Sequence, residues 1–136
     1  MSRSVIVERD LKHPPHKVWR ALTEGALIED WLMKNDFVAV AGHRFQFRTD
    51  PLPHWDGIVH GEVLEVEPEE KLAYRWDAAG GLRTVVTWTL EPAGTGTRLR
   101  MEQSGFAPDQ DNNYRGAQYG WQKYLGSLEV TLGDMP

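Results

Sequence analysis

A chain of 136 residues, 40% hydrophobic and 26% charged, has the size and composition of one globular domain, so residues 1–136 are read as a single unit. A net charge of −5 argues against a nucleic-acid partner, and the lack of cysteine removes disulfides, thiolate nucleophiles and cysteine-held zinc. No apolar run reaches the ~18 residues of a membrane span, and Met1–Val7 lacks a signal peptide's apolar core, so a cytoplasmic protein is expected.

Ser4 to Arg9 is a β-branched run and predicts a strand, ended by His13-Pro14-Pro15. Pro15 suits the first turn of a helix, and Val18, Trp19 and Leu22 share its apolar face. Thr23 can cap a second short helix that carries Leu27, Ile28 and Trp31. From Asp36 the period becomes two. Phe45 and Phe47 form one apolar alternation; Leu72, Tyr74 and Trp76 form another. Val86, Trp88 and Leu90, then Leu99 and Met101, repeat the pattern. Turn signals separate these strands at Ala41-Gly42, Pro68-Glu69, Gly80-Gly81 and Gly94-Thr95-Gly96, which predicts antiparallel neighbours. The stretch from Ile58 to Glu67 also reads as a strand, but its alternation breaks: Ile58, Leu64 and Val66 share one parity, Val59 and Val63 the other. A bulge would shift the face midway.

After Phe106-Ala107-Pro108 the period returns to that of a helix, from about Asp111 to Leu132. Tyr114, Ala117, Gln118, Trp121, Leu125, Leu128 and Leu132 make its stripe. Gly116, Gly120 and Gly126 interrupt it, at up to about 1 kcal/mol each relative to alanine. Close packing is the expected reason, with flexing as the alternative.

The order is therefore strand, two short helices, six strands, long helix. Seven strands about 4.8 Å apart make a sheet about 30 Å wide, against a helix about 10 Å across. A flat sheet would leave apolar surface wet at roughly 25 cal/mol per Å², so the sheet must curl around the helix. The inward rings then either plug the interior or line a cavity. The fold class is α+β: a curved antiparallel sheet of about seven strands gripping a long C-terminal helix, with two short helices after the first strand.

Val18-Trp19-Arg20-Ala21-Leu22-Thr23 followed by Trp31 resembles the opening of the START-like, SRPBCC superfamily. Gly61-Glu62-Val63-Leu64-Glu65-Val66-Glu67-Pro68 and Leu72-Ala73-Tyr74-Arg75-Trp76 resemble its middle strands. Gly96-Thr97-Arg98-Leu99, Ser104-Gly105-Phe106 and Gly120-Trp121 resemble its closing hairpin and helix. The combination is most similar to the branch called activator of heat-shock protein 90 ATPase homologue-like. The resemblance implies a helix-grip fold. It implies function only broadly, because the superfamily includes lipid carriers, cyclases, receptors and co-chaperones.

The candidate ligand-binding residues are Trp31, Phe45, Phe47, Tyr74, Trp76, Trp88, Met101, Gln103, Tyr119 and Trp121. Apolar walls with a few orienting polar groups suit a ligand cavity, and a solid core suits the same residues. His54, Asp56, His60 and Glu62 share a strand parity, but their spacing matches no metal motif, so no metal and no cofactor are expected. His60 with Glu62 is the best available acid–base pair. Arg44, Arg48, Arg75, Arg98 and Arg100 would gather on the outer sheet face, either as a basic patch or as a face balanced by Asp77 and Glu102. No nucleophile elbow or phosphate loop is present, and no catalytic residue stands out.

Three functions compete. A carrier or sensor of a small hydrophobic molecule is favoured. A co-chaperone-like stress-response module, with a chaperone or another protein as partner, is the alternative, and a polyketide cyclase or aromatase is third. A monomer or weak dimer is expected.

Overall fold

The computed structural model describes residues 3–136. The first two residues of the N-terminal segment judged above, Met1 and Ser2, lie outside them. The elements run β1 (Arg3–Leu11), α1 (Pro15–Thr23), α2 (Gly25–Trp31), β2 (Lys34–Asn35), β3 (Arg44–Arg48), β4 (Ile58–Glu67), β5 (Lys71–Ala78), β6 (Leu82–Ala93), β7 (Gly96–Phe106) and α3 (Asp111–Asp134). The strands form one antiparallel sheet in the order β1-β7-β6-β5-β4-β3-β2. It curves around α3, which presents Trp121, Leu125, Leu128 and Leu132 to the core and packs against α1, α2 and β1. This is the helix-grip architecture expected from the order of periodicities.

Local chemistry explains the early turns. Pro14 adopts the extended conformation ahead of α1, and Pro15 opens the helix where its missing N–H is harmless. Thr23 does not cap α2. It still lies in the last turn of α1, where its hydroxyl donates to the Trp19 carbonyl at 2.7 Å. Glu24, in extended conformation, separates the two helices.

The middle strand bends as its broken alternation predicts. Val59 and Val63 are buried, and the β4–β5 register slips between Val63 and Glu65. Gly61 stands directly opposite Phe45, whose ring lies across it. A second slip, between β1 and β7, falls at Gly105, whose φ of 105° favours glycine. It puts Phe106 on the core side one residue out of phase with Leu99, Met101 and Gln103. At the far edge, β2 is two residues long, and the Asp36 carboxylate accepts the Gln46 backbone N–H at 2.7 Å.

The interior is a continuous train of rings. Centroids lie 5.5 Å apart for Phe47–Trp76, 5.2 Å for Trp76–Trp121, 5.6 Å for Trp121–Trp88 and 5.8 Å for Trp88–Trp31. Phe37, Phe45, Phe47 and Tyr74 form a second cluster against it. Two of the deepest indoles find partners: Trp31 Nε1–H donates to the Ala21 carbonyl at 2.8 Å, and Trp88 Nε1–H to the Tyr74 hydroxyl at 3.0 Å.

Burial raises the Tyr74 phenol far above its ordinary value of 10.0, and the hydrogen bond from Trp88 opposes this only in part. The native state thus holds a proton that the unfolded chain releases. Its contribution is fully present below about pH 10 and shrinks as pH rises beyond it. We expect alkaline unfolding to begin above that point, with the Tyr74 phenolate appearing only as tertiary structure is lost. Parallel records of phenolate absorbance and near-ultraviolet circular dichroism check this. A phenolate assigned to Tyr74 in the folded state would contradict it.

Candidate functional site

One end of the grip is not filled. A cleft of ≈ 340 Å³ lies between the N-terminal half of α3 and the adjoining ends of β5, β6 and β7. Trp76 and Ala78 come from β5, Leu82 from β6, and Gln103 and Phe106 from β7. Trp121 and Tyr124 close the helix side, and Met33 follows α2. The loop ahead of β4 adds Leu52, His54 and Trp55 at the rim, where Trp55 Nε1–H donates to the Ile58 carbonyl at 3.1 Å. Asn112, Asn113, Gly116, Ala117 and Gly120 line the cleft from the first turns of α3. No Asp, Glu, Lys or Arg is among the lining residues.

The helix glycines are not packing contacts, which corrects the expectation. A Cβ at Gly116 would meet nothing within 4 Å, and one at Gly120 only the Tyr124 ring at 3.9 Å. Gly126 likewise faces open space. The first two border the cleft, so what they leave is room.

Gln103 is the one deep polar side chain of the cleft, 2% exposed on the inward face of β7. Trp121 Nε1–H donates to its Oε1 at 2.7 Å, and its Nε2 donates to Thr84 Oγ1 at 2.9 Å. Thr84 passes its own hydrogen to the Trp76 carbonyl at 2.6 Å. An indole can only donate and the threonine hydrogen is already used, so the amide has one possible orientation. The chain ties the Trp121 indole to the backbone of β5 at Trp76. Burial raises the Tyr124 phenol above its ordinary value and keeps it neutral at the helix wall.

Of the ten candidate residues, the structure brings Trp76, Gln103 and Trp121 together around the cleft. Trp31, Phe45, Phe47, Tyr74, Trp88 and Met101 are buried behind it, where their side chains fill the grip. Tyr119 is corrected: it is 77% exposed. It precedes Trp121 by two residues, about 200° around a helix, and so points away. Gln118 is also exposed, despite its place in the predicted stripe.

The polar quartet does not converge. His54 is at the cleft rim, and Asp56 Oδ1 accepts the Ile58 N–H at 3.1 Å. His60 and Glu62 alternate with the buried Val59 and Val63, so they face outward, away from the cleft. That removes them as an acid–base pair for anything bound inside. His60 instead stands opposite Asp77, beside a polar hollow on the outer face. Three of the five outer arginines meet an acid: Arg98 pairs with Glu8 at 3.5 Å, Arg100 with Glu102 at 3.1 Å, and Arg44 sits opposite Glu62 in the sheet.

The sequence reading missed Met33, Leu52, Trp55, Phe106 and Tyr124. Two signals could have found part of this set. Leu52 and Trp55 are apolar residues in a proline-flanked loop outside any strand, and Gly116 and Gly120 lie one helical turn apart.

The sequence profile of one family, "Activator of Hsp90 ATPase homolog 1-like protein", matches residues 12–133. The chain belongs to that family. Among solved structures, this activator-like chain is similar to protein MLL2253 from Mesorhizobium loti, at 51% identity over 98% of this chain and 99% of that one, with a TM-score of 0.92. It is also similar to DynU16, a protein in the dynemicin biosynthetic locus, at 25% identity over 96% of this chain and 47% of that one, with a TM-score of 0.82. The Aha1 dimer from Colwellia psychrerythraea shares the fold at 19% identity, covering 96% of each chain with a TM-score of 0.82. No curated protein matches the sequence closely. Among the described residues, no helix of this family member is long and apolar enough to cross a membrane.

Proposed function

We propose that this protein binds a small, mainly apolar molecule in the cleft under α3, acting as a cytoplasmic carrier or sensor. The carrying observation is the cleft itself: ≈ 340 Å³, walled by indole rings and aliphatic groups, with Gln103 at its depth. That falls at the small end of known ligand cavities, and it combines apolar walls with few polar groups. Gly116 and Gly120 support the same reading. Each weakens α3 by up to about 1 kcal/mol, and no neighbour needs the space.

The test pairs ligand screening with a plug. A thermal-shift screen of apolar compounds should find molecules that raise the melting temperature with concentration; at a hundred times Kd the stabilisation is about 2.7 kcal/mol. Gly116→Leu combined with Gly120→Leu should keep the fold, strengthen the helix and lose that shift. A plugged variant that still responds like the wild type would remove the cleft as the site.

A second reading is a stress-response module that binds a chaperone, and membership of the Hsp90-activator-like family favours it. An ATPase assay with purified Hsp90 is its test. A rate unchanged by micromolar protein would remove it.

A further inference from the structure

We infer that the cleft selects an uncharged ligand that turns a hydroxyl or carbonyl group toward Gln103; this rests on the cleft being a ligand site, as proposed above. The network around Gln103 leaves specific capacity unused. Oε1 has accepted one hydrogen, from Trp121, and Nε2 has donated one, to Thr84. One N–H and one oxygen lone pair therefore remain. A hydroxyl can satisfy both, and a carbonyl can take the N–H. Because Thr84 and Trp121 fix the amide, these positions are set before any ligand arrives.

The absence of charge in the walls decides the rest. A buried carboxylate, sulfonate or ammonium would be stripped of water with no opposite charge to meet it, a large penalty. His54, the one lining side chain able to become a cation, is solvent-exposed at the rim, where water and salt screen it. Tyr124 stays a neutral phenol. A fatty acid could bury its chain here only by losing its head-group hydration or leaving that head outside. The volume sets the scale: ≈ 340 Å³ equals roughly eleven waters at about 30 Å³ each, room for a two-ring aromatic molecule.

Three aromatic probes of similar size, substituted at the same ring position, test this on the unaltered protein: naphthol, methylnaphthalene and naphthoate. Binding is followed by proton–nitrogen NMR at the Gln103 side-chain amide and the Trp121 indole N–H. We expect naphthol to shift both signals and to bind several-fold tighter than methylnaphthalene. Naphthoate should bind at least tenfold more weakly than naphthol. Naphthoate binding as tightly as naphthol would overturn the charge selection while leaving the cleft a ligand site. Methylnaphthalene matching naphthol would overturn the role of Gln103. Signals at Gln103 and Trp121 that no probe moves would overturn both this inference and the reading beneath it.

Discussion

Replacing Trp88 by alanine is expected to remove about 3–5 kcal/mol of stability, a large part of the whole for a domain of this size. Trp88 is fully buried on β6, edge-on to both Trp31 and Trp121. Its removal breaks the ring train between Trp121 and Trp31, and the sheet on one side and α2 and α3 on the other cannot both close on the gap. The Tyr74 hydroxyl also loses the hydrogen it accepts at 3.0 Å. Urea unfolding measures the effect, with Tyr119→Ala as the control. That exposed ring should change stability by no more than about 0.5 kcal/mol. Comparable midpoints for the two variants would mean that the ring train does not hold the domain together.

The second large effect belongs to Gly61. A Cβ there would lie 2.2 Å from the Phe45 ring, which real contacts never reach. Phe45 cannot step aside, because Phe37, Phe47 and Tyr74 hold its ring with centroids 4.9, 4.8 and 5.4 Å away. Gly61→Val should therefore cost about 1–3 kcal/mol through overpacking. The milder Gly61→Ala allows a sharper check. Its cost should fall when Phe45→Leu is already present, since the smaller side chain vacates the contested space. A double-mutant cycle reads this as a coupling energy. Additivity of the two changes would mean that the clash is relieved elsewhere.

These positions also show how far the sequence could be read. Alternation identified the inward faces of β3, β5, β6 and β7, because each has one wet side and one dry side. It also located the irregularity of β4, where Val59 and Val63 keep the core parity and Leu64 is pushed outward. Depth within the fold was not legible. Phe45, Phe47, Tyr74 and Trp76 all lie on inward faces, yet of these only Trp76 borders the cleft. What separates them is height along the strand relative to the end of α3, which no periodic pattern encodes. Phe106 was missed because Gly105 breaks parity just before it, a backbone choice invisible to a count of alternating residues. The helix glycines were misread because a small residue looks the same whether a neighbour presses on it or nothing does. Gln103 was named only as one of several candidate orienting groups, and its fixed amide was not legible because it depends on Thr84 and Trp121, 19 and 18 positions away in the chain.

One edge of the sheet, the margin of β3, bears on how this molecule behaves in company. An unpaired row of backbone groups invites another polypeptide to extend the sheet, the opening step of many aggregates. Here β2 covers only the final two residues of β3, and the Asp36 carboxylate occupies the outward N–H of Gln46. The charged Arg44 and Arg48 flank what is left. An incoming strand would have to displace an ionic hydrogen bond before making its first ladder contact. Asp36→Ala would unlock that margin, and its cost would show less in melting temperature than in turbidity at high concentration.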